Sequence, residues 1–220
     1  MRLVFPRLYA IIDAGLLKTS ELAFAEMMAE SGVELIQYRN KKSPARYLFE
    51  IAHNLAQFLN PRGVRFIVND RADVAALVGA GGVHVGQEDL GVEEARAIGR
   101  SSQWVGISTH TLEQVERANK SSANYIAVGP IYATRTKENP DLVVGTEFIG
   151  RARLLTGKPL VAIGGITLER AWEVFRAGAD SVAVARDLIC AQDPCARARA
   201  LLKVAAEVSS TAGGKGASHV

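Results

Sequence analysis

The sequence predicts an α/β protein of one domain, a (β/α)8 TIM barrel whose active site lies at the C-terminal rim of its strands. Three observations carry that prediction. Eight short apolar runs, most of them rich in Val and Ile, alternate with helical patterns, as parallel strands covered on both faces do. The early runs end abruptly in polar side chains: Tyr9 to Ile12 in Asp13, Leu35 and Ile36 in Gln37 through Lys41, Phe66 to Val68 in Asn69 and Asp70, and Val83 to Val85 in Gln87, Glu88 and Asp89. A chain of 220 residues with 48% hydrophobic side chains closes one substantial core without partition. An open doubly wound sheet fits less well, because it needs a strand-order switch and usually has fewer strands.

Strands are expected at 8–13, 34–39, 65–70, 82–86, 104–110, 125–131, 159–165 and 181–186, each short and close to continuously apolar. Helices are expected at 20–31, 45–59, 71–78, 92–98, 112–120, 147–155, 168–177 and 194–208. Ser20, Ser43 and Thr167 stand where N-terminal caps belong, and Gly32, Gly79, Gly99 and Gly178 follow C-terminal ends. The barrel domain is therefore drawn at 1–208. The segment 209–220, rich in Ser, Gly and Ala and including His219, lacks a core-forming pattern and is expected to be a disordered tail.

Composition narrows the function. The net charge of +3 is small and the basic residues are scattered, which argues against nucleic acid as a partner and leaves a phosphorylated small molecule open. No apolar run reaches membrane-spanning length, and residues 1–6 are too short for a secretory signal, so a soluble, cytoplasmic protein is expected. Cys190 and Cys195 have no metal-ligand spacing and read as reduced thiols. The sequence leaves assembly into a homo-oligomer undecided.

A barrel gathers its strand ends on one rim, where four groups of residues meet. Gln37, Arg39 and Lys41 leave the second strand at alternate positions and so face a common space, an amide with two cations suited to phosphate. Taken alone, that group fits a solvated strand exit equally well. Asn69 and Asp70 close the third strand and Asp89 follows the fourth. Two carboxylates on adjacent strand ends suit Mg2+, which completes its shell with water and substrate phosphate. The alternative for Asp70 and Asp89 is helix capping or pairing with Arg71. Ser108 and His110 follow the fifth strand, and Thr134, Arg135, Thr136 and Lys137 form a loop suited to a phosphate-binding lid. His110 serves acid/base work or caps the next helix, while His84 within a strand and His53 within a helix read as structural. Gly164 and Gly165 after the seventh strand, with Ala185 and Arg186 closing the eighth, mark a place where backbone N–H groups meet a phosphate.

Together these groups resemble the thiamine-phosphate synthase family, over nearly the whole chain from Leu8 to Val208. The motifs that carry the likeness are Gln37-Tyr38-Arg39-Asn40-Lys41, Asn69-Asp70, Gly86-Gln87-Glu88-Asp89, Gly129-Pro130-Ile131-Tyr132 leading to Thr134, Thr136 and Lys137, and Ile163-Gly164-Gly165-Ile166. The resemblance implies that hydroxymethylpyrimidine diphosphate, 4-amino-2-methyl-5-(diphosphooxymethyl)pyrimidine, joins 4-methyl-5-(2-phosphooxyethyl)thiazole, the thiazole phosphate, to give thiamine phosphate and diphosphate. It further implies a dissociative course, in which diphosphate leaves before the thiazole nitrogen captures the methylene cation. On this reading Gln37, Tyr38, Arg39, Asn40, Lys41, Asn69, Ser108 and Lys137 hold the pyrimidine diphosphate. Thr134, Arg135, Thr136, Gly165, Ala185 and Arg186 hold the thiazole phosphate, and Asp70 and Asp89 bind Mg2+ as the cofactor. Arg39, Lys41, Lys137 and Ser108 are the expected catalytic residues. Because Mg2+ formally cancels the two aspartates, the departing diphosphate falls to Arg39, Lys41 and Lys137.

One departure stands at Arg186, where many family members carry serine; its side chain adds charge to the phosphate site or turns away to Asp187. Two rival readings remain. A thiazole tautomerase on the same scaffold uses a histidine after the fifth strand, a role open to His110. A noncatalytic sensor of phosphate ligands is the other. Neither accounts for the cationic and carboxylate groups together.

Overall fold

The computed structural model describes residues 5–134 and 142–213. Eight parallel strands close into a barrel in chain order: β1 (Leu8–Asp13), β2 (Leu35–Arg39), β3 (Arg65–Asn69), β4 (Gly82–Val85), β5 (Trp104–Thr109), β6 (Tyr125–Val128), β7 (Leu160–Ile163) and β8 (Ser181–Val184). Pairing of β1 with β8 completes the ring, with Tyr9 opposite Ala183. The helices α1 (Glu21–Glu30), α2 (Ala45–Leu59), α3 (Ala72–Val78), α4 (Val92–Ile98), α5 (Leu112–Lys120), α6 (Glu147–Leu155) and α7 (Leu168–Arg176) follow the first seven strands. After β8 come a short α8 (Arg186–Ile189) and the long α9 (Pro194–Gly213).

Strand alternation divides the core in two. Residues such as Ala10, Ile12, Ile36, Val68, Ile126 and Ala162 face the helices. Tyr9, Ile11, Leu35, Ile67, Tyr125, Ala127, Val161 and Ala183 fill the barrel interior. Phe5 closes the end opposite the rim, stacking on Trp104 with ring centroids 5.3 Å apart and lying 5.0 Å from Tyr125. Room for the Tyr125 ring comes from Gly106 on the neighbouring strand, where a Cβ atom would stand 2.0 Å from the phenol. The barrel is thus packed below and open above, as its period-two pattern requires.

Several expected elements differ at their ends. The strands stop one to three residues before the expected bounds at Val85, Thr109, Val128, Ile163 and Val184, where the pairing ladder ends and the chain turns into the rim segments. α9 runs past Val208 to Gly213, where a disordered tail was expected. Ser209 and Thr211 bond back to the carbonyls of Ala205 and Glu207, so small polar residues continue the helix without core contacts. Residues 214–220, including His219, lie outside the described residues. Among the described residues no helix is long and apolar enough to cross a membrane.

The caps also divide. Ser20 caps α1 by accepting from the Ala23 N–H. Pro44, not Ser43, occupies the N-cap of α2, and Thr167 makes no side-chain cap bond to α7. The Leu168 N–H at the start of α7 instead meets Asp187 Oδ2 at 2.9 Å, a cap delivered from α8.

Candidate active site

A cavity of about 710 Å3 opens at the C-terminal rim. It is walled by Gln37, Arg39, Asn69, Ser108, Thr134, Gly165, Ala185 and Arg186 among the expected residues. Lys41, Asp70 and Asp89 gather beside it, and Arg135, Thr136 and Lys137 lie outside the described residues. Tyr38 and Asn40 are not in the cavity wall. Alternation sends Tyr38 outward between Gln37 and Arg39, where it is 1% exposed and its hydroxyl accepts from Asn40 Nδ2 at 2.9 Å. Asn40 Oδ1 accepts from the Lys42 and Ser43 amides, which shapes the turn that carries Lys41.

The two cations of β2 and its exit are already paired. Arg39 meets Asp13 Oδ2 at 2.5 Å, directly across the β1–β2 register. Asp13 is 4% exposed, and its other oxygen accepts from the Gly15 amide at 3.0 Å. Lys41 Nζ lies 3.0 Å from Asp70 Oδ2. The charge count read from the sequence therefore changes: Asp13 holds Arg39 in place and cancels it, and Lys41 faces the carboxylate pair.

Asp70 is the one non-glycine residue with positive φ, 62°, among the described residues. Its backbone is held by Asp70 N–H to His84 O and Arg71 N–H to Asn69 O, both 2.7 Å. Such conformations persist where surroundings impose them, often at functional sites. Burial and the neighbouring Asp89 push the Asp70 carboxyl above the ordinary carboxylate range, and Lys41 partly offsets that. Arg71 pairs with Asp73 instead of Asp70. Asp89 Oδ2 accepts from the Gly86 amide at 2.8 Å, so the turn after β4 is built around this carboxylate. A half-buried carboxyl with a second carboxylate beside it suits a divalent cation. Among the described residues no group of three or more His, Cys, Asp and Glu gathers.

Along the cavity floor runs a chain of side-chain hydrogen bonds that sequence reasoning did not find. Gln37 Nε2 donates to Asn69 Oδ1 at 3.2 Å, and the Tyr9 hydroxyl donates to Gln37 Oε1 at 2.8 Å. Tyr9 and Tyr125 hydroxyls are 3.0 Å apart. Tyr125 reaches His84 Nδ1 at 3.0 Å, and His84 Nε2 reaches Ser108 Oγ at 2.9 Å. His84, expected to be structural, lines the cavity within this network, since strand alternation aims it inward beneath the rim. The available signal was a lone polar ring inside an apolar run, as in Val83-His84-Val85. His53 remains on α2, stacked on Phe49. His110 lines the cavity and donates from Nδ1 to Gly129 O at 2.6 Å; the capping of α5 belongs to Thr111 and Gln114.

The glycine pair after β7 meets the chain before it meets any ligand. Gly164 and Gly165 have φ of 99° and 63°, and Cβ atoms there would strike Pro130 and the Ala133 carbonyl at 2.5 Å. Tyr132 N–H bonds to Gly164 O at 3.0 Å, so the β6 exit lies against the β7 exit. At β8, Asp187 binds Arg197 at 3.2 Å and the Leu168 amide, and it makes no ion pair with Arg186. Arg186 stays in the cavity wall with Arg170, which donates to Gly165 O at 2.7 Å.

This arrangement coincides with a family likeness over most of the chain. The profile of the family described as thiamine monophosphate synthase matches residues 8–188. The chain belongs to this family. A thiamine-phosphate synthase of Koribacter versatilis is 48% identical over 207 residues, covering 92% of this chain and 97% of the relative. One of Chloroflexus aurantiacus is 41% identical over 196 residues, covering 89% and 90%. The solved thiamine phosphate pyrophosphorylase of Pyrococcus furiosus superposes with a TM-score of 0.83 at 34% identity, covering 92% of this chain and 96% of that one. The barrel positions its family motifs on β2, β3 and β4, and on the exits of β6 and β7.

Proposed function

We propose that the protein is a thiamine-phosphate synthase acting on the pyrimidine diphosphate and the thiazole phosphate. The observation that carries this reading is the joint placement of Gln37, Arg39, Asn69 and Ser108 in one cavity wall, beside the Lys41, Asp70 and Asp89 cluster. Membership of the family supports it.

In the proposed reaction the methylene C–O bond of the pyrimidine breaks and diphosphate departs with the electron pair. The thiazole nitrogen then gives its lone pair to the methylene carbon, forming the C–N bond. Gln37 and Asn69 orient the pyrimidine through their amides, and Arg39, fixed by Asp13, meets the diphosphate as a guanidinium of set direction. Lys41 stands between the diphosphate and Asp70. Asp70 and Asp89 would hold Mg2+, which supplies charge neutralisation to the leaving group. Arg186, with Gly165 and Thr134, receives the thiazole phosphate across the cavity. Lys137 joins the same anion-binding cations in this reading.

The test supplies both substrates to the purified protein with and without Mg2+ and measures diphosphate and thiamine phosphate. Both products, with rates rising on Mg2+ addition, are expected. Asp70→Asn is expected to shift the Mg2+ titration to higher concentration, and an unaltered titration removes Asp70 from metal binding. Absence of both products overturns the synthase reading, and isomerisation of the thiazole alone favours the tautomerase.

A further inference from the structure

The six side chains Asn69, Gln37, Tyr9, Tyr125, His84 and Ser108 come from six different strands or strand ends and form one line of contacts of 2.8 to 3.2 Å. Asn69, Gln37, Tyr9, His84 and Ser108 line the cavity, whereas Tyr125 is wholly buried beneath it. Counting protons along the line gives it a direction. Gln37 donates through Nε2 to Asn69, so its Oε1 takes the proton of Tyr9. Tyr9 then has only its oxygen left for Tyr125, and the Tyr125 proton must lie between the two phenols. If Tyr125 gave that proton to His84 instead, two oxygens 3.0 Å apart would face each other with none between them. The oxygen of Tyr125 therefore accepts from His84 Nδ1–H. A neutral imidazole protonated at Nδ1 presents a bare Nε2, which accepts from the Ser108 hydroxyl 2.9 Å away.

We propose that Tyr125 is a positioning residue for the synthase reaction: it links the Gln37 wall to the Ser108 wall and holds His84 in the Nδ1–H tautomer. The inference rests on the synthase reading for its bearing on catalysis, but not for the tautomer itself. In the ligand-free protein the Ser108 proton lies on the histidine side, and its remaining lone pairs face the cavity. Chains in which every link donates the same way stiffen all their members, so one buried hydroxyl sets two walls of the site. Gly106 is part of the same device, because a side chain there would displace the Tyr125 ring.

The experiment labels the histidines of the full chain with 15N and reads ring protonation by NMR, with His84 assigned by its disappearance in His84→Gln. The parent protein is expected to show His84 protonated at Nδ1 and bare at Nε2. Tyr125→Phe keeps the ring and removes the oxygen that accepts from Nδ1, so the proton should move to Nε2. That variant should lose kcat by about tenfold, the worth of one hydrogen bond, with both KM values within about twofold. Tyr9→Phe offers a second route: it takes away the acceptor of the Tyr125 proton, which turns to His84 and produces the same tautomer switch. The double variant should be no slower than the slower single one, because both break one line. A parent His84 protonated at Nε2, a tautomer unmoved by either substitution, or an unchanged kcat overturns the proposal. A parent protein that makes no thiamine phosphate overturns the synthase reading and leaves the tautomer measurement standing.

Discussion

Asp13 governs Arg39. A guanidinium aimed by a 4% exposed carboxylate loses little orientation on binding, but the pair arrives at the substrate electrically neutral. Asp13→Ala is expected to leave Arg39 unpaired, lowering stability by about 2 kcal/mol, less than a fully buried pair because Arg39 is partly exposed. Urea unfolding of Asp13→Ala, Arg39→Ala and the double variant checks this; simple additivity would show that the two residues do not act together. In the proposed mechanism, with Arg39 neutralised, more of the burden of the departing diphosphate would fall to Lys137, which lies outside the described residues. Lys137→Ala is expected to lower kcat by about 10² to 10³ without changing Tm. Unchanged turnover removes this lysine from the mechanism. The place of Arg39 in the cavity wall was legible in its motif, whereas its partner was not, because Asp13 and Arg39 become neighbours only when β1 and β2 pair.

At the level of elements, the helix-forming patterns predicted α2, α4, α5 and α6 to the residue, since apolar period and flanking polar residues act locally. Caps were less legible. Thr167 has the right chemistry before α7, yet the N-terminal amide of Leu168 goes to Asp187, which also binds Arg197 of α9. One carboxylate thus ties α7, α8 and α9 together beside the cavity. Asp187→Ala is expected to destabilise the protein by about 1 to 2 kcal/mol, the scale of a lost N-cap. Denaturant midpoints at constant m-value measure it. A midpoint equal to the parent's would assign the cap to Thr167 after all. The glycine pair after β7 teaches the same lesson: its composition suggested room for phosphate, and the fold uses that room first for the β6 exit.

For the molecule as a whole, the barrel interior is sealed enough to hold phenols away from water. Burial raises the Tyr9 and Tyr125 hydroxyls above their ordinary value of 10.0, and pushes Tyr38 up to about 12. Above pH 10 the unfolded chain loses these protons while the folded protein keeps them, so the unfolded state gains. Stability is therefore expected to be full below pH 10 and to fall between there and about pH 12. Absorbance of tyrosinate from Tyr9, Tyr38 and Tyr125 should rise in a late phase that coincides with unfolding. Free titration of Tyr9, Tyr38 and Tyr125 near pH 10 would mean that the interior is open to solvent.

The amino-acid sequence by itself determined the class of fold, the rim and the family, because apolar period, strand-end polarity and short motifs are written in neighbouring residues. Only the tertiary structure decided which side chains face the cavity floor and which charges cancel. Tyr9, His84 and Tyr125 belong to separate strands with nothing between them in sequence to announce a contact. Their hydroxyls and imidazole meet because barrel closure turns every second residue inward, and burial then leaves each polar group to find its partner among the others.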